Sequence, residues 1–108
     1  MASVIRGSDN FDSAIKKGLG DGQTWQNVTG SRAIGPVYTN STGRTIAVAV
    51  NTSSVHQIAV YIAGNYMFVN GDANGYNTTI FFVVPNGTTY QVTVASGSPA
   101  LGKWEELR

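Results

Sequence analysis

Apolar and polar residues alternate along most of this chain with a period of two, the mark of strands whose successive side chains point to opposite faces. Ile46, Val48 and Val50 share one face of such a strand while Ala47 and Ala49 share the other. That pattern predicts a core face backed by a closely packed second face. From His56 to Ile62, the residues His56, Ile58, Val60 and Ile62 fall on one side and Gln57, Ala59 and Tyr61 on the other. The run Thr78 to Val84 is β-branched and aromatic on both faces, which predicts a strand at the centre of a sheet or at a contact between subunits. Pro85, Asn86 and Gly87 then supply turn chemistry before Tyr90, Val92 and Val94 resume the alternation, which predicts a hairpin.

Shorter strands are expected around Gln23 to Val28, Val37 to Thr39, Tyr66 to Val69 and Leu101 to Leu107, each bounded by Gly, Asn, Ser or Pro. The total of about eight strands separated by turns predicts an all-β, antiparallel, jelly-roll-like sandwich. Ahead of it, Phe11, Ala14, Ile15 and Leu19 lie near helical spacing with Asn10 able to cap, so a short helix or structured lead-in is expected. Gly18, Gly20 and Gly22 break its continuation. The chain divides into a lead-in over 1–22 and a sandwich over 23–108, and its 108 residues suit one hydrophobic core.

Composition narrows the functional classes. Hydrophobic residues reach 42% while charged residues are only 12%, about half the usual share. The predicted surface is therefore neutral and polar, and between Thr45 and Ala100 the one charged residue is Asp72. A net charge of +1 gives no basic field for phosphates, which argues against a nucleic-acid partner. With no cysteine, disulfides and thiolate chemistry are excluded. No apolar run approaches the length of a membrane-crossing helix, and the polar start at Ser3, Arg6 and Asp9 lacks the apolar stretch of a signal peptide. These features predict a soluble chain with no insertion into membrane. Asn-x-Ser/Thr triplets at Asn27, Asn40, Asn51, Asn77 and Asn86 reflect the Asn/Thr-rich composition better than glycosylation.

The segment GDGQTWQNVTGS at Gly20 to Ser31, followed by VYTNSTGRTIAVAV at Val37 to Val50, resembles the C-terminal domains of bacteriophage tail fibres and of related prophage or tailocin fibres. The resemblance resumes in NGYNTTIFFVVPNGTTYQV at Asn74 to Val92 and in KWEELR at Lys103 to Arg108, covering well over half of the chain. It implies a virion protein made in the host cytoplasm, a homotrimer at the distal end of a fibre beside other tail proteins. It further implies attachment to a bacterial surface glycan or outer-membrane receptor. Val55 to Ala73 carries none of these motifs, so specificity lodged there does not transfer. The rival reading is a trimerising cap or connector of the tail without a receptor site.

The stretch Asn65 to Asn77 holds the candidate glycan contacts Tyr66, Asp72, Asn74, Tyr76 and Asn77, aromatic faces for sugar C–H surfaces and polar groups for hydroxyls. Read structurally, the same residues form a hairpin loop whose Asn-Gly steps need positive φ. Trp25 could stack on a sugar, although a strand tryptophan is more often core; Trp104 suits core or a subunit contact. His56 is the sole histidine, so one chain offers no His-based metal cluster or triad, while three copies on an axis could hold an ion. No cofactor is called for. Asp72, Glu105 and Glu106 are the only acids after residue 21, too few for a paired-carboxylate hydrolase, and a non-enzymatic role is expected. The adjacent glutamates would face opposite ways on a strand and pair with Lys103, Arg108 or a neighbouring subunit.

Overall fold

Period-two patterning becomes strand wherever expected in the computed structural model, which describes residues 18–53, 57–70, 78–98 and 100–108. Among the described residues the strands are β1 (Trp25–Asn27), β2 (Val37–Thr39), β3 (Ile46–Ser53), β4 (Gln57–Ile62), β5 (Asn65–Asn70), β6 (Thr78–Val84), β7 (Thr89–Ser96) and β8 (Ala100–Leu107). A single 3-10 turn, Thr29–Ser31, separates β1 from β2. Of the expected lead-in helix, residues 10–17 lie outside the described residues, and Leu19 stands exposed in a turn.

The strands form two antiparallel sheets, the first ordered β1-β8-β3-β6 and the second β2-β7-β4-β5. Strand one therefore lies beside eight, two beside seven, three beside six and four beside five. This is one long antiparallel ribbon rolled up until β8 also meets β3 and β7 also meets β4, the winding of a jelly roll. The inward sets on three strands are those read from the sequence, Ile46, Val48 and Val50 on β3, Ile58 and Val60 on β4, and Tyr90 and Val92 on β7; on β6, apolar on both faces, the structure turns Ile80, Phe82 and Val84 inward. Trp104 of β8 is fully buried among them.

Two expectations are corrected. The turn Pro85 to Gly87 does not close a hairpin, because β6 belongs to the first sheet and β7 to the second; the chain crosses between layers there. Asn40 holds this crossing. Its buried side-chain amide donates to the carbonyls of Arg44, Val84 and Pro85 at 2.7, 3.0 and 3.2 Å, so the arches β2–β3 and β6–β7 are tied at one point. Buried carbonyls at a crossing lack ladder partners, and Asn40 meets that need. Nor is β6 central. It forms an edge, with Thr78, Ile80, Phe82 and Val84 buried while Phe81 and Val83 face outward.

Where β3 meets β8, the register steps from Asn51 opposite Lys103 to Thr52 opposite Leu101, leaving Gly102 unopposed as a bulge. A Cβ on Gly102 would lie 2.8 Å from Asn51 Oδ1, closer than carbon tolerates, and 3.1 Å from the Asn51 carbonyl oxygen, a tight contact. Gly102→Ala is therefore expected to cost about 1–3 kcal/mol by overpacking. Urea unfolding checks this, and an unchanged midpoint would mean that Asn51 moves aside freely.

Candidate functional site

Each sheet of the sandwich turns one set of side chains to solvent, and the two outer faces differ in chemistry. On the second sheet, Tyr61 of β4 lies opposite Tyr66 of β5 and, on its other side, opposite Gln91 of β7, which in turn lies opposite Val37 of β2. One row thus crosses all four strands. The Tyr61 and Tyr66 rings meet edge to face, with centroids 5.7 Å apart and planes at 76°. A bulge at Met67, marked by the register shift between Val60 and Tyr61, brings Tyr66 onto the outer side. There its side chain is 58% exposed, with a ring braced by its neighbour and free to meet a ligand. Beside this row stand Thr89 and Thr93 of β7 with the apolar Ala59 and Val69, so among the described residues the face carries no charge and sets hydroxyl and amide groups beside apolar ones.

On the first sheet the outward set combines large apolar side chains, Trp25, Phe81 and Val83, with the polar and charged Asn51, Thr79, Lys103 and Glu105. Trp25 of β1 and Phe81 of β6 come from opposite edges of the sheet, about 14 Å apart at the usual strand spacing, yet their rings stand with centroids 6.3 Å apart. Ala47 and Ala49 of the intervening β3 present only methyl groups there, which lets the two large rings reach over them. Ala47 is 1% exposed although it faces outward. Trp25 itself is 49% exposed, which corrects the expectation that it is core: its parity matches outward Leu107, not inward Glu106. Trp104 follows the core reading.

Glu106 faces inward beside Trp104, and its carboxylate is the charged centre of the sandwich. Its Oε2 accepts from Tyr90 Oη at 2.7 Å, Trp104 Nε1 at 3.0 Å and Arg32 Nε at 3.1 Å, while Oε1 accepts from Arg108 at 3.0 Å and Arg32 at 3.2 Å. The Arg32 guanidinium also stacks 4.7 Å from the Tyr38 ring centroid. Tyr90 comes from the second sheet and Trp104 from the first, so this network joins the layers. Glu105, facing out, pairs with Lys103 at 3.1 Å. The expected split of the adjacent glutamates, with Lys103 and Arg108 as partners, matches this arrangement; Arg32 is the partner that sequence reasoning missed.

Of the candidate contacts, Tyr66 lies on strand β5 and not in a loop, whereas Asp72, Asn74, Tyr76 and Asn77 lie outside the described residues, as does His56. Tyr61 was not among the candidates. Its signal was present, since the alternation from His56 to Ile62 already set it apart from the core residues Ile58 and Val60. Among the described residues no cavity opens, so what the fold offers a ligand is its outer faces. No family model, curated protein or solved structure matches the chain.

Proposed function

We propose that this chain is a non-catalytic attachment domain that holds bacterial surface carbohydrate on the outer face of its second sheet, at Tyr61 and Tyr66. In this reading three copies form the tip of a phage tail fibre. The observation that carries it is the exposed Tyr66 ring braced by Tyr61 on a face that, among the described residues, carries hydroxyl and amide groups and no charge. A sugar ring has an apolar C–H surface edged by hydroxyls, and such a face meets both needs without the desolvation cost of a charge. The resemblance of GDGQTWQNVTGS and KWEELR to tail-fibre ends supports the setting. Three weak sites on one rigid tip would bind a repetitive surface far more tightly than one, because later contacts form at high effective concentration.

The test is retention of the chain on immobilised bacterial surface polysaccharides by surface plasmon resonance. Tyr66→Ala is expected to weaken each site about tenfold, roughly 1.4 kcal/mol, without moving the melting curve, because Tyr66 lies outside the core. Undiminished binding by the variant would take the contact off this face. A folded wild type retained by no polysaccharide would contradict the carbohydrate reading.

A further inference from the structure

We infer that the row across the second sheet selects an N-acetylated amino sugar, with Gln91 receiving the acetamido N–H and Val37 the acetamido methyl. The inference rests on the carbohydrate reading above and names the class of sugar. Its first ground is the orientation of one side-chain amide. Gln91 Nε2 donates to the Gly35 carbonyl oxygen at 2.6 Å, and Gly35 is itself held by its N–H, which donates to the Val92 carbonyl at 2.7 Å. Only an N–H can face a carbonyl, so the bond to Gly35 fixes which way round the Gln91 amide stands. Its Oε1 is left as an acceptor to which no group among the described residues donates. A fixed acceptor of this kind favours a ligand that brings a donor.

The order of groups along the row is the second ground. From β5 to β2, at strand spacings of about 4.8 Å, stand the Tyr66 and Tyr61 rings, the Gln91 amide and the isopropyl group of Val37. Val37 is 58% exposed at the end of this line. An N-acetylated sugar carries the complements in the same order: the apolar C–H surface of its ring, an amide N–H and a methyl group. The acetamido group is planar and trans, which sets its N–H and its methyl along one edge and the sugar ring away from the methyl. With the ring on the tyrosines and the N–H on Gln91, the methyl falls toward Val37.

Ring geometry narrows the choice further. The Tyr61 and Tyr66 planes stand at 76°, which makes a corner for one sugar ring and not a flat platform for a run of them. A sugar bearing hydroxyls alone can stack in this corner and donate to Gln91, but it sets a hydroxyl against Val37, a polar group facing an apolar one without a partner. That mismatch separates the two classes of sugar.

Titration calorimetry with matched oligosaccharides tests this: oligomers of N-acetylglucosamine and N-acetylgalactosamine, beside oligomers of glucose and galactose of the same length and linkage. At least one acetamido oligomer is expected to bind about tenfold more tightly than its hydroxyl match, the lower end of what one apolar group contributes in a closed pocket, because this face is open. Val37→Thr and Gln91→Leu are each expected to shrink that ratio severalfold, whereas Tyr66→Ala weakens both members of a pair alike. Val37 lies outside the core, so Val37→Thr decides should Gln91→Leu disturb the fold. Failure to bind either acetamido oligomer, equal affinity for matched oligomers, or a ratio unmoved in both folded variants overturns the inference. The carbohydrate reading outlives each of these results if a saccharide is still held through Tyr66. A folded wild type that retains no saccharide of any kind overturns both.

Discussion

Glu106→Ala is expected to lower the unfolding free energy by about 3–5 kcal/mol, the usual result of removing one partner from a buried ion pair. The carboxylate is wholly buried and accepts from Arg32, Tyr90, Trp104 and Arg108. Its removal leaves the Tyr90 hydroxyl and the Trp104 indole N–H without their acceptor inside the sandwich, and each such group costs about 1–3 kcal/mol. It also cuts the polar tie between the sheets. For a domain of this size the melting midpoint is expected to fall by about 12 °C or more. Urea unfolding followed by tryptophan fluorescence gives the free energy directly, and a loss below about 1 kcal/mol would mean that the network is not what joins the layers.

The same group sets an acid limit. Burial alone would push the Glu106 carboxyl up, but hydrogen bonds from Arg32, Tyr90 and Trp104, with the Arg32 charge, outweigh it and hold the carboxyl below its ordinary 4.5. A carboxylate lowered on folding contributes stability that is complete above its unfolded value and drains as pH falls through the folded one. The gap between wild type and Glu106→Gln is therefore expected to be widest above pH 4.5 and to close below it. Tyr90 works at the other end. Burial, then the hydrogen bond to Glu106 and its charge, push the hydroxyl up to about 12, so its contribution is full below pH 10 and lost as pH climbs through about 12.

Trp104→Ala is expected to cost a further class of energy, about 3–5 kcal/mol from lost burial and the cavity left behind. Trp104 is fully buried, lies opposite Val50 on β3 and meets the Tyr38 ring edge to face at 5.8 Å. Trp104→Phe keeps most of that volume and loses the N–H bond to Glu106, so its cost should sit near 1–2 kcal/mol. The two sites share that bond, and the double variant Trp104→Ala with Glu106→Ala is expected to lose less than the sum of the singles. Strict additivity in urea unfolding would show that indole and carboxylate act separately.

Strand positions were legible because each core strand carries its own period: Ile46, Val48 and Val50 announce β3, and Ile58 and Val60 announce β4, without reference to any partner. Pairing was not. Pro85-Asn86-Gly87 makes a turn equally well within a sheet or between sheets, and what selects the crossing is Asn40, forty-four residues from Val84 in sequence. Trp25 was misread because a strand of three residues shows no alternation, so its face is decided by pairing with Leu107. The burial of Glu106 could have been inferred. It shares a face with Trp104 two residues earlier, so a core tryptophan there carries the glutamate inward with it. Tyr66 alone of the proposed contacts can be placed, and its importance comes from Tyr61, a neighbour across strands that sequence order separates.

The most direct measurement of the central claim is a two-dimensional NMR titration of the wild-type chain with oligosaccharides released from bacterial surface polysaccharides. The account predicts saturable shifts confined to the row through Tyr66, Tyr61 and Gln91, with the signals of Trp25 and Phe81 unmoved. Shifts centred on Trp25 and Phe81, or none at any resonance of a folded chain, would contradict it.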